Sequence, residues 1–265
     1  MKVRMYNVGF GDCFCLRDRK KSLLVDFGTN NSRIEGRPRR EIFDVIISDL
    51  STIKSKNLLL THFHMDHLSG LLYMMKKKDI SVDFGKIYLP DVFSKKEMSR
   101  TLVLLLLADL LKESGLPSRQ VSLFALVDAL LENKQNVELL SRGKLFENKY
   151  QALWPDTDVI RKETDEVYNR ICEDGKFKEV MDVLLEFAEK LRLIVWSMTA
   201  EGNKPAETVE KETDLTASEL TEQPEVRQKI IRAYVYEREF RRIKALPDFK
   251  KLLAEYLEAA EKFGA

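Results

Sequence analysis

Between residues 58 and 71 the chain reads Leu58-Leu59-Leu60-Thr61-His62-Phe63-His64-Met65-Asp66-His67-Leu68-Ser69-Gly70-Leu71. All three histidines of the 265-residue sequence fall inside this stretch, within six residues of one another. Leu58–Leu60 reads as a short buried strand that delivers Thr61 to a sheet edge. In extended backbone, residues two apart point to the same side, so His62 and His64 are placed to grip one ion together. A helix expected from near Leu68 then swings Asp66 and His67 round to the same cavity. Three imidazoles and a carboxylate suit Zn²⁺, with Fe or Mn as alternatives, whereas Ca²⁺ and Mg²⁺ demand mostly oxygen ligands. No thiolate joins the cluster, which argues against a closed structural zinc site. A metal held by imidazoles and carboxylates with an open position lowers the pKa of a bound water from 15.7 towards about 7, which makes hydrolysis the reaction class.

Outward from this loop the two halves of the chain differ. Upstream, Lys2–Asn7, Cys13–Leu16 and Ser22–Asp26 are short β-type runs separated by turn residues, the pattern of a meander or hairpin pair. Gly28–Arg40 reads as a polar loop. Glu41–Ser51 reads as a helix on the spacing of Ile42, Val45, Ile46 and Leu50. Lys86–Leu89 is a further strand, ended by Pro90. Beyond it the pattern turns helical: from Ser94 or Lys95 to Ser114, and from Ser118 to Asn133, with Gly115-Leu116-Pro117 as the breaker. Lys144–Trp154 reads as extended. Asp158–Ser197 reads as one helix or two, interrupted near Gly175.

Composition sets limits. A net charge of +1, from 44 basic and 43 acidic residues, gives no support for a broad nucleic-acid-binding surface, although a local patch is compatible with it. Cys13 and Cys15 lie in an apolar run, and with only three cysteines in the chain they read as core packing, not as a disulfide framework. No signal-like segment opens the chain. The longest apolar run, Leu102–Leu111, is too short to span a bilayer. A cytoplasmic location and no membrane partner are the expectations.

His62-Phe63-His64-Met65-Asp66-His67 resembles the HxHxDH signature of the metallo-β-lactamase superfamily. Asn7-Val8-Gly9-Phe10-Gly11-Asp12 and Leu23-Leu24-Val25-Asp26-Phe27-Gly28 are similar to two strands of the branch that includes the hydrolase domain of competence DNA-uptake channels. The resemblance covers about residues 2 to 90. It implies His62 and His64 at one metal, Asp66 and His67 at a second, and Asp66 as the residue that orients the attacking water. It also implies Asp26, and more weakly Asp12, as supporting residues beneath the metal loop, although acidic residues are also common where strands end. The fold implied is α+β: part of an αββα sandwich, one β-sheet with flanking helices, followed by a mainly helical C-terminal region.

The expected organisation is a metal-binding half-domain over 1–92, a helical insertion or lid over 93–200 with a short strand near 144–154, an acidic flexible linker over 201–225, and helices over 226–265. The linker reading rests on eight acidic against two basic residues between Glu201 and Glu225. The family completes its site with a later Gly-Asp and a late histidine, and this sequence has neither after His67. Three accounts are open. The remaining strands lie further downstream in a longer protein; other groups, such as Asp156, Asp158 or a neighbouring subunit, complete the site; or the chain keeps a metal loop without catalysis. The expected function is a zinc-dependent hydrolase, with one or two ions, acting on a small-molecule ester or a phosphodiester. The alternative is a metal-binding interaction module whose helices from about residue 94 dock a partner through the apolar face of Leu102–Leu111.

Overall fold

The computed structural model describes residues 1–18, 21–77, 83–113, 123–133, 135–173 and 175–199. The breaker at 115–117, the acidic stretch 201–225 and the helices expected over 226–265 lie outside them. Two compact units are formed, Met1–Pro90 with Gln120–Trp154, and Asp91–Arg119 with Pro155–Ala265.

The first unit is built on a six-stranded mixed sheet. Its strands are β1 (Lys2–Met5), β2 (Phe14–Asp18), β3 (Lys21–Val25), β6 (Ser55–Leu59), β7 (Ile87–Pro90) and β8 (Val137–Leu140), in that spatial order. Between β3 and β6 lie a small hairpin, β4 (Arg33–Ile34) and β5 (Arg37–Pro38), and helix α1 (Arg39–Ser51). Helix α2 (Met65–Lys76) connects β6 to β7, and α4 (Leu123–Glu132) precedes β8. β1, β2 and β3 pair antiparallel, whereas β3, β6, β7 and β8 run parallel. Successive parallel strands that are neighbours, joined by right-handed crossovers, place their helices on one face of the sheet. α1 packs on α2, and α2 on α4, as that arrangement requires.

Register shows where the core lies. Cys15, Leu24, Leu58, Ile87 and Val137 stand opposite one another across five strands, and all are buried. Burial pushes the Cys13 thiol pKa up, as fits a cysteine that serves as a small apolar side chain. α1 adds Ile42, Phe43, Ile46, Ile47 and Leu50, each worth roughly 1.5–3 kcal/mol of burial as an upper figure. Val45, counted in the expected apolar stripe, is instead exposed. The true stripe takes Phe43 and Ile47, whose spacing keeps them on the buried side, and Phe43 meets Phe27 edge-on at 5.2 Å.

The other row, Met5, Phe14, Val25, Leu59 and Tyr88, is covered less evenly. Tyr88 is buried with Leu23, Leu140, Phe146 and Ala152, while Val25 and Leu59 are only partly covered and Met5 is exposed. The cover comes from a second hairpin, β9 (Leu145–Phe146) and β10 (Tyr150–Gln151). The unit is thus α+β, one mixed sheet with helices on one face, as the sequence implies.

Two local readings change. The polar stretch 28–40 contains the β4–β5 hairpin, turned at Glu35 and Gly36 with φ of +49° and +80°; two central residues at positive φ suit a tight hairpin turn. The sheet also takes its last strand, Val137–Leu140, from within the expected helical insertion, ahead of the stretch 144–154 where the strand is expected. Four residues are too few for an alternation to stand out.

The second unit is helical: a short 3-10 turn (Lys96–Met98), α3 (Ser99–Glu113), α5 (Thr157–Glu173) and α6 (Gly175–Ser197). α3 packs on α6 and α5. Its Leu102, Val103, Leu106 and Leu107, the first part of the apolar face that suited an outside partner, are buried in the chain itself. Asp156 caps α5, its Oδ1 accepting from the backbone N–H of Asp158 and Val159 at 3.2 and 3.3 Å. Among the described residues no helix is long and apolar enough to cross a membrane.

Candidate metal centre

Parallel strands bring their carboxyl ends to one edge of a sheet, which is where α/β folds bind ligands. Here β3 ends into Asp26 and β6 ends into Thr61 and His62, side by side through the Val25–Leu59 pairing. α2 begins at Met65, three residues earlier than expected. His64 is therefore its N-cap in extended conformation, and Asp66 and His67 lie in its first turn. The early start draws Asp66 and His67 back over the strand end towards His62.

Donor atoms of His62, Asp66 and His67 all lie within 4.8 Å of one another. The ring centroids of His62 and His67 are 3.7 Å apart. His64 stands edge-on to His62 at 4.8 Å, outside that group of donors. A second group joins His67 to Asp12 and Asp26. The resemblance implies His62 with His64, and Asp66 with His67, around one cavity. The donors that lie together here are those of His62, Asp66 and His67, with Asp12 and Asp26 on the Nδ1 side of His67.

Asp26 is the buried centre of this arrangement. It accepts the Thr61 backbone N–H on Oδ1 at 2.7 Å and the Thr61 hydroxyl on Oδ2 at 2.7 Å. Its Oδ2 also lies 3.0 Å from His67 Nδ1. Its backbone sits at φ +55°, a left-handed conformation that Asp tolerates better than most residues. Carboxylate and imidazole share a proton on the Nδ1 side, so His67 presents Nε2 on the side of Asp66, whose carboxylate is 3.8 Å away. A carboxylate that fixes the tautomer of a histidine in this way is the usual support for a metal-bound imidazole.

The same logic sets His62. The single Thr61 hydroxyl proton goes to Asp26, so at the 3.0 Å contact with His62 the Thr61 oxygen is the acceptor and His62 Nδ1 the donor. Its Nε2 is thereby left as the lone-pair nitrogen. Burial, reinforced by the neighbouring His67 and His64, holds His62 below the usual imidazole pKa, in the neutral form that metals require. For His67, burial works downward, but the hydrogen bond to Asp26 and the charges of Asp26, Asp66 and Asp12 outweigh it and raise the pKa. Two oriented imidazoles and a carboxylate are a donor set that fits zinc.

Two glycines let the loops meet. A Cβ on Gly11 would lie 2.2 Å from the Gly28 carbonyl oxygen and 2.7 Å from that of Asp66. One on Gly28 would lie 2.6 Å from the Leu68 backbone nitrogen. The contact is sealed by the Asp12 N–H donating to the Asp66 carbonyl at 3.3 Å and the Phe27 N–H donating to that of His67 at 2.7 Å. Sequence reasoning missed Thr61, which contacts His62 directly and is joined to His67 through Asp26. Its signal was a hydroxyl residue between an apolar strand and the first histidine. Asp12 lies at the edge of the network, its Oδ2 3.7 Å from His67 Nδ1.

Residues 6–91 match the profile of the metallo-beta-lactamase superfamily. The chain is also similar to the endoribonuclease YSH1 of Mycosarcoma maydis, 32% identical over 77 residues. That alignment takes in 29% of this chain and 8% of the relative, so the chain spans a small fraction of the curated protein it matches. No solved structure matches significantly.

Proposed function

We propose that this chain supplies the metal-binding half of a zinc-dependent hydrolase acting on phosphodiester or related ester bonds. The observation that carries the reading is the convergence of His62, Asp66 and His67 donors within 4.8 Å at the carboxyl end of a parallel strand, with His67 braced by buried Asp26. When bound, zinc acidifies a water and polarises the bond to be cleaved. His62 and His67 would hold it through Nε2, and Asp66 through a carboxylate oxygen. His64, at the head of α2, is the next imidazole in reach. Asp66, whose side chain is about a third exposed (30%), is the group open to solvent that would orient the attacking water and take its proton. Water oxygen then bonds to phosphorus, the ester P–O bond breaks, and the departing oxygen is protonated from solvent. The match to the superfamily supports hydrolysis as the reaction class; the phosphodiester preference leans on the endoribonuclease relative.

A one-metal reading is favoured over a two-metal one by the donor set itself. Asp26, the buried carboxylate of the second donor group, spends its oxygens on Thr61 and His67. The test is metal content by mass spectrometry together with hydrolysis of a generic phosphodiester, with and without chelator. Bound zinc and chelator-sensitive turnover, both lost in His67→Ala, are the expected results. A zinc-loaded protein with no turnover would leave a metal-binding interaction module in its place.

A further inference from the structure

Beside the metal loop lies a surface whose make-up the hydrolytic chemistry does not use. Phe10 is 80% exposed, yet its backbone is tied down on both sides. Its N–H donates to Asn31 Oδ1 at 3.2 Å, and its carbonyl accepts from the Asn30 N–H at 2.9 Å and the Thr29 hydroxyl at 3.1 Å. A large aromatic ring is thus held out in water by a rigid loop. That loop is the one whose Gly11 and Asp12 touch the backbone of Asp66. Two residues of extended chain span at most roughly 7 Å, which keeps Phe10 close to Asp12 and hence to His67.

The β4–β5 hairpin is fastened to the same loop. Gly9 packs against Asn31 and Ile34, and Asn7 donates to Glu35 Oε1 at 2.8 Å. This hairpin and the first turn of α1 carry Arg33, Arg37, Arg39 and Arg40, all exposed. Only Glu35 and Glu41 oppose them between residues 33 and 41, and Glu35 is engaged by Asn7. Among the described residues Arg37, Arg39 and Arg40 take part in none of the ion pairs. Four guanidiniums on a hairpin and helix start fastened to the loop that carries an exposed ring suit a chain of phosphates with stackable faces, the two features by which single-stranded nucleic acid is held without sequence preference.

We infer that this rim binds single-stranded nucleic acid, with Phe10 stacking a base and Arg37, Arg39 and Arg40 contacting the phosphates that lead to the metal centre. The inference rests on the phosphodiester reading and names its substrate class. It accommodates the chain's near-zero net charge, because the basic residues are concentrated locally.

The test is equilibrium binding of a fluorescein-labelled 12-nucleotide RNA to the full chain, followed by anisotropy over a salt series, with single-stranded DNA of the same sequence and heparin as competitors. Binding should weaken steeply with salt. Phe10→Ala should weaken it about tenfold, and Phe10→Trp should restore it. Arg37→Ala/Arg39→Ala/Arg40→Ala should flatten the salt slope by about 2. Heparin should compete through the arginines but be indifferent to Phe10→Ala. These side chains are exposed, and circular dichroism checks that each variant is folded. No binding by the wild type at low salt, or equal binding by both variants, overturns the proposal. Binding does not depend on turnover: RNA bound but not cleaved sinks the hydrolase and leaves the rim, whereas cleavage of a small phosphodiester without RNA binding does the reverse.

Discussion

The floor and the rim of the metal centre are built in opposite ways. Asp26 and His67 are buried and hydrogen-bonded to each other, exposed Thr61 adds two hydrogen bonds to Asp26, and Gly11 and Gly28 let the backbone close beside them. His62, His64, Asp66 and Phe10 lie partly or largely open. The floor is bought with strain and steric constraint, including the left-handed Asp26 at φ +55°; the rim tolerates change. Stability should therefore belong to the floor and ligand binding to both.

The sharpest way to break that contrast is Gly28→Ala. The added methyl meets backbone atoms of Asp66 and Leu68 at 2.6–2.7 Å, and neither can rotate away. A loss of at least about 3 kcal/mol is expected, read as a lower urea midpoint. An unchanged midpoint would mean that the loops are not packed as described.

Asp26→Asn comes next. It keeps the shape but offers one acceptor oxygen where Thr61 and His67 now use two. Zinc affinity should fall about 10–100-fold, measured by competition with a chromophoric chelator, and the His67 pKa should drop. If affinity were unchanged, Asp26 would be no more than a turn residue.

A smaller effect is expected from pH. The His67 pKa is raised, so the proton competes with zinc, and affinity should decline by up to about tenfold per pH unit as pH falls below that value. In metal-free protein the sign reverses. The stabilisation from protonated His67 is fully present below the unfolded value of about 6.5 and is lost as pH rises through the raised folded pKa. A metal-free protein whose stability climbed over that interval would contradict the His67–Asp26 pairing.

The smallest change in stability belongs to the rim. Phe10→Ala should shift it by no more than about 0.5 kcal/mol, by thermal melt, because the ring is 80% exposed.

Much of this was legible in the sequence where a pattern repeats or a rare residue clusters. The strands at Leu23–Val25 and Leu58–Leu60 announce themselves by apolar runs, and the loop by its histidines. That Asp66 and His67 come round to the cavity of His62 was legible in the turn after the strand; the start of α2 at Met65 instead of near Leu68 was not, because Asp66 and His67 in its first turn add no apolar spacing. The arginine-bearing hairpin was hidden for a different reason. Two strands of two residues carry no periodicity, and a turn centred on Glu35–Gly36 announces itself only through its positive φ angles. Val137–Leu140 joined the sheet through pairing with β7, information that lies in Ile87–Pro90 as much as in its own residues.

The most direct test is zinc stoichiometry and affinity by calorimetry on wild type and His67→Ala, with circular dichroism to establish that the variant is folded. About one zinc per chain, with binding lost in folded His67→Ala, is the predicted result. A wild type that takes up no zinc, or a His67→Ala protein that binds it as well as wild type, would contradict the assignment of His62, Asp66 and His67 as a metal centre.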